Sequence, residues 1–259
     1  MKYALGIEYF GHNFYGWQAQ NNLPTIQGHI ELALAKVLDE DVVVFCAGRT
    51  DAGVHAFQQV IHFETDKVRE LKAYTLGINS YLPGDISVHW AKQVDDELHA
   101  RFSALSRSYK YIIFNKRTKP AVLNHRVTWF YETLDAELMH EAGQYLLGEN
   151  DFTSFRSSQC ESKTPMRNVT KLSVKRQENY IVIEITANAF LHHMVRNIVG
   201  VLLEVGTLAK NPKWVTEVLK AKDRKQAGVT AKPDGLYLHS VLYPSKYDFP
   251  EPCQDFFIP

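Results

Sequence analysis

The fold of this chain follows from the stretch Gly48-Arg49-Thr50-Asp51-Ala52-Gly53-Val54-His55-Ala56, because it connects two predicted strands. These strands, residues 42–47 and 57–64, are short apolar segments, and the two glycines between them allow unusual backbone angles. Outward from them the sequence predicts a strand, two helices and a further strand: residues 3–9, 25–38, 67–80 and 86–94. The first half therefore has the order β-α-β-β-α-β of a ferredoxin-like unit.

The second half of the chain repeats this order without visible sequence identity. Its predicted strands are residues 108–115, 168–177, 180–187 and 235–242, and its predicted helices are residues 135–147, 190–205 and 214–219. We therefore predict an α+β protein with two ferredoxin-like (β-α-β-β-α-β) subdomains, residues 1–104 and 105–259. Their antiparallel or mixed sheets are expected to join edge to edge around a central cleft.

The composition is that of a folded protein. The 259 residues are 45% hydrophobic and carry 29 Lys+Arg against 29 Asp+Glu, which excludes intrinsic disorder. The longest apolar-leaning stretch, residues 190–205, contains charged side chains and is too short to span a membrane. The three cysteines (Cys46, Cys160 and Cys253) lie far apart and predict inert thiols in a reducing compartment. We therefore expect a cytoplasmic protein.

The charges are segregated along the chain although they sum to zero. Residues 98–131 contain seven cations and no anion, and residues 127–155 contain anions but no Lys or Arg. Aromatic residues alternate with the cations, which is the composition of a surface that binds phosphates and bases. A solvated edge strand protected by lysines gives the same pattern, and from charge alone it is the commoner explanation.

The chemistry of Asp51 is open on physical grounds alone. An Asp beside glycine is most often a turn residue that bonds to nearby backbone amides. A phosphate-binding loop is disfavoured, because neither GxxxxGK[ST] nor GxGxxG occurs. A catalytic carboxylate, kept ionised by a neighbouring Arg, is the third interpretation.

Five segments together resemble a known family. GRTDAGVHA (residues 48–56) resembles the signature of the tRNA pseudouridine synthase A family. The other four segments match that family in the same order, over nearly the whole chain: GHNFYGWQAQ (11–20), HARFSA followed by RSYKY (99–111), FLHHMVRNIVG (190–200) and AKPDGLYL (231–238). Lys232 departs from the family pattern, which usually has a small residue there.

The resemblance implies an isomerase that converts uridine to pseudouridine in tRNA. The N1–C1′ bond breaks, the base turns, and C5 bonds to C1′, so no cofactor and no metal are expected. The family's essential aspartate corresponds to Asp51, which acts by attack or by proton removal. Arg196 is expected to pair with Asp51 across the cleft and offset the cost of burying the carboxylate. Tyr109 is expected to stack on the uracil and to assist proton removal at C5.

Further residues follow from the same resemblance. Arg49 is expected to contact RNA and to hold the space left by the flipped nucleotide, and Leu236 to contact the substrate. Two RNA-binding segments are expected, Leu98, His99, Ala100, Arg101 and Phe102 in the first and Gln159, Cys160, Glu161, Ser162 and Lys163 in the second. The implied partners are a second copy of the chain, giving a homodimer, and the anticodon stem-loop of tRNA, with positions 38, 39 and 40 as targets.

Two other functions fit parts of the pattern. A non-catalytic RNA-binding protein built from two ferredoxin-like units explains the fold order and the basic stretch, although RNP-type aromatic motifs are absent. A small-molecule hydrolase that uses Asp51 lacks a second clear catalytic carboxylate. His55, His192 and His193 are interpreted as structural or RNA-contacting residues rather than metal ligands.

Overall fold

The structure is a computed structural model and describes residues 1–251. Contacts divide the chain into two units. Unit 1 is Met1–Arg107 together with the segment from Tyr237 onwards, and unit 2 is Ser108–Leu236. Each unit contains strands and helices, and each is described by itself.

Residues 1–251 contain ten strands and five helices. The strands are β1 (Lys2–Tyr9), β2 (Phe45–Cys46), β3 (His55–Glu64), β4 (Ile86–Val94), β5 (Ser106–Asn115), β6 (Thr128–Phe130), β7 (Gly148–Asp151), β8 (Met166–Gln177), β9 (Tyr180–Ala187) and β10 (Leu236–Leu242). The helices are α1 (Ile26–Leu38), α2 (Leu76–Asn79), α3 (Ala136–Gln144), α4 (Met194–Gly206) and α5 (Trp214–Ala221). The predicted α+β class is confirmed.

Unit 1 has the predicted β-α-β-β-α-β order. β1 is the central strand and pairs antiparallel with β3 on one side and β4 on the other. The far edge of β3 is shared by two strands: β2 pairs antiparallel with Ile61 and His62, and β10 pairs parallel with His55 and Ala56. Because of this parallel pairing, β10 is grouped with unit 1 from Tyr237 onwards, whereas the sequence placed it with residues 105–259.

Unit 2 carries a sheet in the order β5-β9-β8-β7, with β6 parallel to β5. The β8–β9 hairpin turns where the sequence predicts it, with Gln177 opposite Tyr180. β7 was not predicted; it follows the predicted helix 135–147 directly and pairs antiparallel with β8. The edge-to-edge joining of the sheets and the cleft stay predictions.

Helix α1 forms as predicted because its apolar residues recur at helical spacing. Ile26, Ile30 and Leu34 are almost fully buried. Thr25 caps the first turn, since its Oγ1 accepts a hydrogen bond from the Gly28 amide at 3.3 Å. The helix ends at Asp39, whose φ of 55° is left-handed and stops helical propagation.

Two elements are shorter than predicted. Only Phe45–Cys46 of residues 42–47 is strand, because side chains of α1 take the Val44 backbone: Glu31 accepts from its amide and Gln27 donates to its carbonyl. The helix expected at 67–80 is a 3-10 turn at Leu71–Tyr74 followed by α2. Thr75 separates these turns, with φ −111° and ψ −78°, far from helical values.

Helix α4 begins at Met194 rather than at Phe190. His193 has a φ of 64°, and this left-handed residue ends the preceding turn, so the helix starts one residue later. From Met194 onwards the helix is buried on most of its faces, as its apolar sequence indicates.

The segment after β10 runs back over other parts of unit 1. Phe249 stacks on Trp90 at 5.0 Å, and Lys92 donates hydrogen bonds to the carbonyls of Tyr247 and Asp248. Cys253, one of the thiols that the sequence predicts to be inert, lies outside the described residues. Among residues 1–251, no helix has the length and apolarity needed to cross a membrane.

Candidate active site

The loop that carries Asp51, residues 48–54, is anchored at its start by a buried side chain. Gln59 of β3 accepts a hydrogen bond from the Gly48 amide at 3.4 Å and donates one to the Gly48 carbonyl at 2.6 Å. Thr50 is buried as well, and its hydroxyl lies 2.8 Å from the Tyr9 hydroxyl. Gly48 and Thr50, on either side of Arg49, are therefore held in place.

The segment 11–20 supports this loop through main-chain contacts. The Trp17 amide donates to the Thr50 carbonyl at 3.0 Å, and the Gly53 amide donates to the Phe14 carbonyl at 3.4 Å. Gly16 has a φ of 86°, and a Cβ at this position would lie 2.8 Å from the Thr50 carbonyl oxygen. The motifs at residues 11–20 and 48–56 are thus packed against each other, and Gly16 allows their backbones to approach closely.

Asp51 is half-buried at the tip of this structure. Its carbonyl accepts a hydrogen bond from the Val54 amide at 3.1 Å, which closes the turn. Arg49, two residues earlier, is exposed, as expected of a residue that contacts RNA. The loop therefore presents one carboxylate and one guanidinium from a fixed backbone.

Cys46 and His55, which flank the loop, have structural roles. Burial raises the pKa of the Cys46 thiol to about 12, although Arg49 and Arg101 oppose the shift, so the thiol is neutral and unreactive. His55 is fully buried; its Nδ1 accepts a hydrogen bond from the Gly11 amide at 2.9 Å, and its ring stacks on Phe10 at 4.8 Å. Because Nδ1 is an acceptor, it carries no proton.

In unit 2, Tyr109 lies on β5 and is buried. Its ring meets the Phe190 ring edge to face, with centroids 4.9 Å apart. Lys110 points to the opposite face of the strand, where burial lowers its pKa and Glu184 opposes that shift. The alternation of these two side chains agrees with the strand predicted from the sequence.

Arg196 lies in the first turn of α4 and is paired with the segment before β10. Its Nε donates to the Ala231 carbonyl at 2.8 Å, and the Ala231 amide donates back to the Arg196 carbonyl at 3.1 Å. The next carbonyl, that of Lys232, accepts a hydrogen bond from the Tyr111 hydroxyl at 2.8 Å. Strand β5 therefore fixes, through Tyr111, the same backbone segment that accepts the hydrogen bond from Arg196.

A polar network beside Arg196 fixes the same segment. Asn197 is fully buried, and its side-chain oxygen accepts from Arg224 at 3.0 Å and from the Thr230 hydroxyl at 2.7 Å. Arg224 donates also to Thr230 at 2.9 Å and to the Gly228 carbonyl at 2.9 Å. A Cβ on Gly200 of α4 would overlap the Val229 carbonyl at 1.8 Å. Residues 227–231, the α4 latch, are thus pinned along the helix.

The remaining predicted site residues fall into two groups. Leu236, the first residue of β10, is buried, and its amide donates to the Pro233 carbonyl at 2.8 Å. The segment 159–163 lies in unit 2 and is largely exposed; Ser162 is held by Arg167 at 2.7 Å. The predicted pairing of Arg196 with Asp51 and the substrate-binding roles of Tyr109 and Leu236 stay predictions.

The first of the two predicted RNA-binding segments, residues 98–102, is held close to the Asp51 loop in unit 1. The buried Arg107 donates to the Ala47 carbonyl at 2.9 Å, immediately before that loop, and to the carbonyl of Arg101. One guanidinium therefore joins the backbone that leads to Asp51 with the backbone of the predicted RNA-binding segment. Sequence reasoning did not give Arg107 this role.

Other supporting residues were also missed, namely Gln59, Asn197, Arg224 and Thr230. Asn197 stands beside Arg196 in a quoted motif, which was the available signal. Arg224 and Thr230 lie outside the quoted motifs, and only the tertiary structure brings them to Asn197.

The comparisons with known proteins agree on one family. The family model described as tRNA pseudouridine synthase matches residues 6–103 and 142–244. The chain is 59% identical over 251 residues to proteins named tRNA pseudouridine synthase A from Escherichia coli (strain K12) and from Shigella sonnei (strain Ss046). These alignments cover 97% of this chain and 93% of each relative.

Among solved structures, a chain from the crystal structure of a Cbf5-Nop10-Gar1 complex is similar over 77% of this chain and 54% of its own length. Its sequence identity is 12% and its TM-score 0.33, which is too low to support an inference.

Proposed function

The chain belongs to the tRNA pseudouridine synthase family, and from this we propose that it isomerises uridines at positions 38, 39 and 40 in the anticodon stem-loop of tRNA. The reaction class and the tRNA substrate follow from the family. The position of the target uridines is our proposal, as is the assignment of the residues that carry out the reaction.

The observation that carries this assignment is the construction of the Asp51 loop. Tyr9 holds Thr50 and Gln59 holds Gly48, so these two residues before Asp51 are fixed by buried contacts. Gly16 allows the supporting segment 11–20 to approach the loop closely. A turn aspartate with a purely local role needs no such support. We take Asp51 as the essential carboxylate, because catalysis requires its reacting group to be preorganised.

The reaction needs a carboxylate in a site from which water is excluded. The base leaves C1′ and returns through C5, and free water would capture a glycosyl intermediate. Asp51 acts either by attack or by removal of a ribose proton, and both require its ionised form. The half-buried carboxylate is compatible with either act.

The residues of unit 2 supply the surroundings of the base in this proposal. Arg196 offers a guanidinium whose Nε is already committed to Ala231, so its Nη groups keep a defined direction. Tyr109 is proposed to stack on uracil, and Leu236 to give an apolar contact. Arg49 is proposed to contact the RNA when the uridine has left the stack, a step that costs a few kcal/mol.

We propose that the protein forms a homodimer and that it acts in the cytoplasm. A homodimer allows one tRNA to touch both subunits. The free cysteines Cys46 and Cys160 are in keeping with a reducing compartment. The non-catalytic RNA-binding alternative is not retained, because the family is one of enzymes.

Asp51→Asn tests the assignment directly. We expect pseudouridine formation in unmodified tRNA to fall by at least about a thousandfold, because the amide neither attacks nor accepts the proton. Affinity for tRNA should stay within about twofold, since Lys and Arg side chains contact the phosphates. The measurement is single-turnover formation of pseudouridine, mapped by position, with a parallel binding titration.

The matched control is Asp66→Asn, which removes an exposed carboxylate of the same unit. It should behave as wild type in both assays. An Asp51→Asn variant as active as wild type contradicts the catalytic assignment. Wild-type product confined to uridines outside positions 38, 39 and 40 contradicts the proposed target.

A further inference from the structure

A rigid loop in unit 1 displays a large apolar ring to solvent. Phe102 is 75% exposed, and the Arg101 guanidinium lies 5.5 Å from the centroid of its ring. Exposing an apolar ring of this size to water is unfavourable. The construction of this loop therefore needs a reason.

Buried polar side chains from distant parts of unit 1 hold the loop backbone. His62 accepts from the Ala100 amide at 3.1 Å, and the Tyr243 hydroxyl donates to the Ala100 carbonyl at 2.5 Å. Lys2 donates to the Leu98 carbonyl at 3.0 Å, and Arg107 donates to the Arg101 carbonyl. Four side chains from separate parts of the chain thus hold one short loop, and its exposed side chains project from a fixed backbone.

The rings around Phe102 form a continuous surface. His99 lies 4.4 Å from Phe102 and 5.6 Å from Phe45, measured between ring centroids. Phe45 is 48% exposed and stacks on the buried His62 at 5.0 Å. We call Phe45, His99, Phe102 and the guanidinium of Arg101 the stacking platform.

The two histidines are neutral at physiological pH. Burial, together with the neighbouring His99 and Lys2, lowers the pKa of His62 to about 4. Burial also lowers the pKa of His99, and its Nδ1 accepts from the Arg101 amide at 3.1 Å. The platform is therefore an apolar aromatic surface with one permanent positive charge, from Arg101.

We propose that the stacking platform binds an unpaired nucleotide of the RNA substrate, with the base against Phe102 and Phe45 and the adjacent phosphate near Arg101. Aromatic rings beside a guanidinium are suited to a base with its phosphate. The bases of a duplex are already stacked and present no free face, so the occupant must lie in a loop or a bulge. Three of its four members, His99, Arg101 and Phe102, lie in the stretch 98–131, whose sequence contains seven cations and no Asp or Glu.

This inference rests on the proposed function, since it specifies how residues 98–102 would contact the RNA. It adds Phe45 to the interface, and it assigns the contact to a single-stranded nucleotide rather than to the backbone of a stem. Positioning roles follow for His62, Tyr243 and Arg107, which hold the loop without being exposed themselves.

Phe102→Ala tests the platform in the full-length protein. Loss of one base stack should weaken binding of unmodified tRNA by about 5- to 100-fold and raise KM in proportion, with kcat within about twofold of wild type. Phe102→Trp should retain wild-type affinity, because the larger ring also stacks. Tyr81→Ala, which removes another exposed ring of unit 1, is the control and should change neither constant.

A second probe separates base stacking from backbone contact. Binding of a fully paired RNA duplex should be weak and equal for wild type and Phe102→Ala. Equal losses of affinity for duplex and tRNA would overturn the proposal, as would wild-type KM in both Phe102→Ala and Phe45→Ala. In either case the wild-type protein would still form pseudouridine, so a failure of this inference can be told apart from a failure of the proposed function.

Discussion

The Asp51 loop of unit 1 and the Arg196 region of unit 2 hold a charged side chain in two different ways. The Asp51 loop is fixed mostly through main-chain groups, and its key supporting residue, Gly16, acts by having no side chain. Arg196 is fixed by side chains, since Arg224, Asn197 and Thr230 pin the α4 latch that carries Ala231. The position of Asp51 should therefore be disturbed by a substitution that adds a side chain at Gly16. The position of Arg196 should be disturbed by substitutions that remove the side chains holding the α4 latch.

Gly16→Ala should have the largest effect of the changes that test this comparison. A Cβ would meet the Thr50 carbonyl oxygen at 2.8 Å, and the φ of 86° alone costs alanine about 1–2 kcal/mol. Because the loop must move to relieve the contact, we expect kcat to fall by about 100-fold or more. Pseudouridine formation at saturating tRNA measures this, and thermal unfolding measures the stability loss.

Gly84→Ala is the control for this change, because a Cβ there meets no atom within 4 Å. It should leave kcat and the melting temperature almost unchanged. If Gly16→Ala lowers the melting temperature but keeps wild-type kcat, the close approach of segment 11–20 stabilises the fold without positioning Asp51.

Arg224→Ala should lower kcat less than Gly16→Ala does, and it acts by removing a side chain rather than by adding one. It removes the donors to Asn197 and Thr230, so the latch loosens and Arg196 loses its fixed acceptor. We expect kcat to fall by about 10-fold, with the KM for tRNA within about twofold. Arg224→Lys should recover part of the loss, because one ammonium replaces some of the bonds of the planar guanidinium.

Lys225→Ala controls for the loss of a positive charge, since Lys225 is the exposed neighbour of Arg224. It should leave kcat unchanged. If Arg224→Ala instead raises KM and leaves kcat unchanged, Arg224 contacts RNA and does not position Arg196.

The comparison also explains which parts of the fold were predictable from sequence. The strand and helix order of unit 1 follows from apolar periodicity and from Thr25 as a cap, both local signals. The reduced β2 was not predictable, because side chains of α1 bind the Val44 backbone. The break at Thr75 between the two helical turns of residues 71–79 had no sequence signal either. Glu31 on α1, which takes the Val44 amide, lies thirteen residues away in the chain.

The site was predictable to a similar degree. The glycines and the motif around Asp51 are local, so the sequence indicated the loop and its neighbour segment. Arg224 and Thr230 gave no comparable signal, since a single Arg or Thr outside a motif most often faces solvent. Arg107 opens the quoted motif RSYKY, but the motif does not indicate which groups its guanidinium contacts. Their roles depend on carbonyls and amides that only the tertiary fold brings within reach.

The smallest expected effects come from a matched pair of hydroxyl deletions, Tyr9→Phe in unit 1 and Tyr111→Phe in unit 2. Tyr9 bonds to the Thr50 side chain, and main-chain bonds hold the same loop independently, so kcat should change by less than about twofold. Tyr111 bonds directly to the Lys232 carbonyl beside Ala231, so its loss should lower kcat by about 3- to 5-fold. Both variants are assayed at saturating tRNA, and both should bind tRNA as wild type does. A larger kcat loss for Tyr9→Phe than for Tyr111→Phe would mean that side chains, and not backbone contacts, position Asp51 as well.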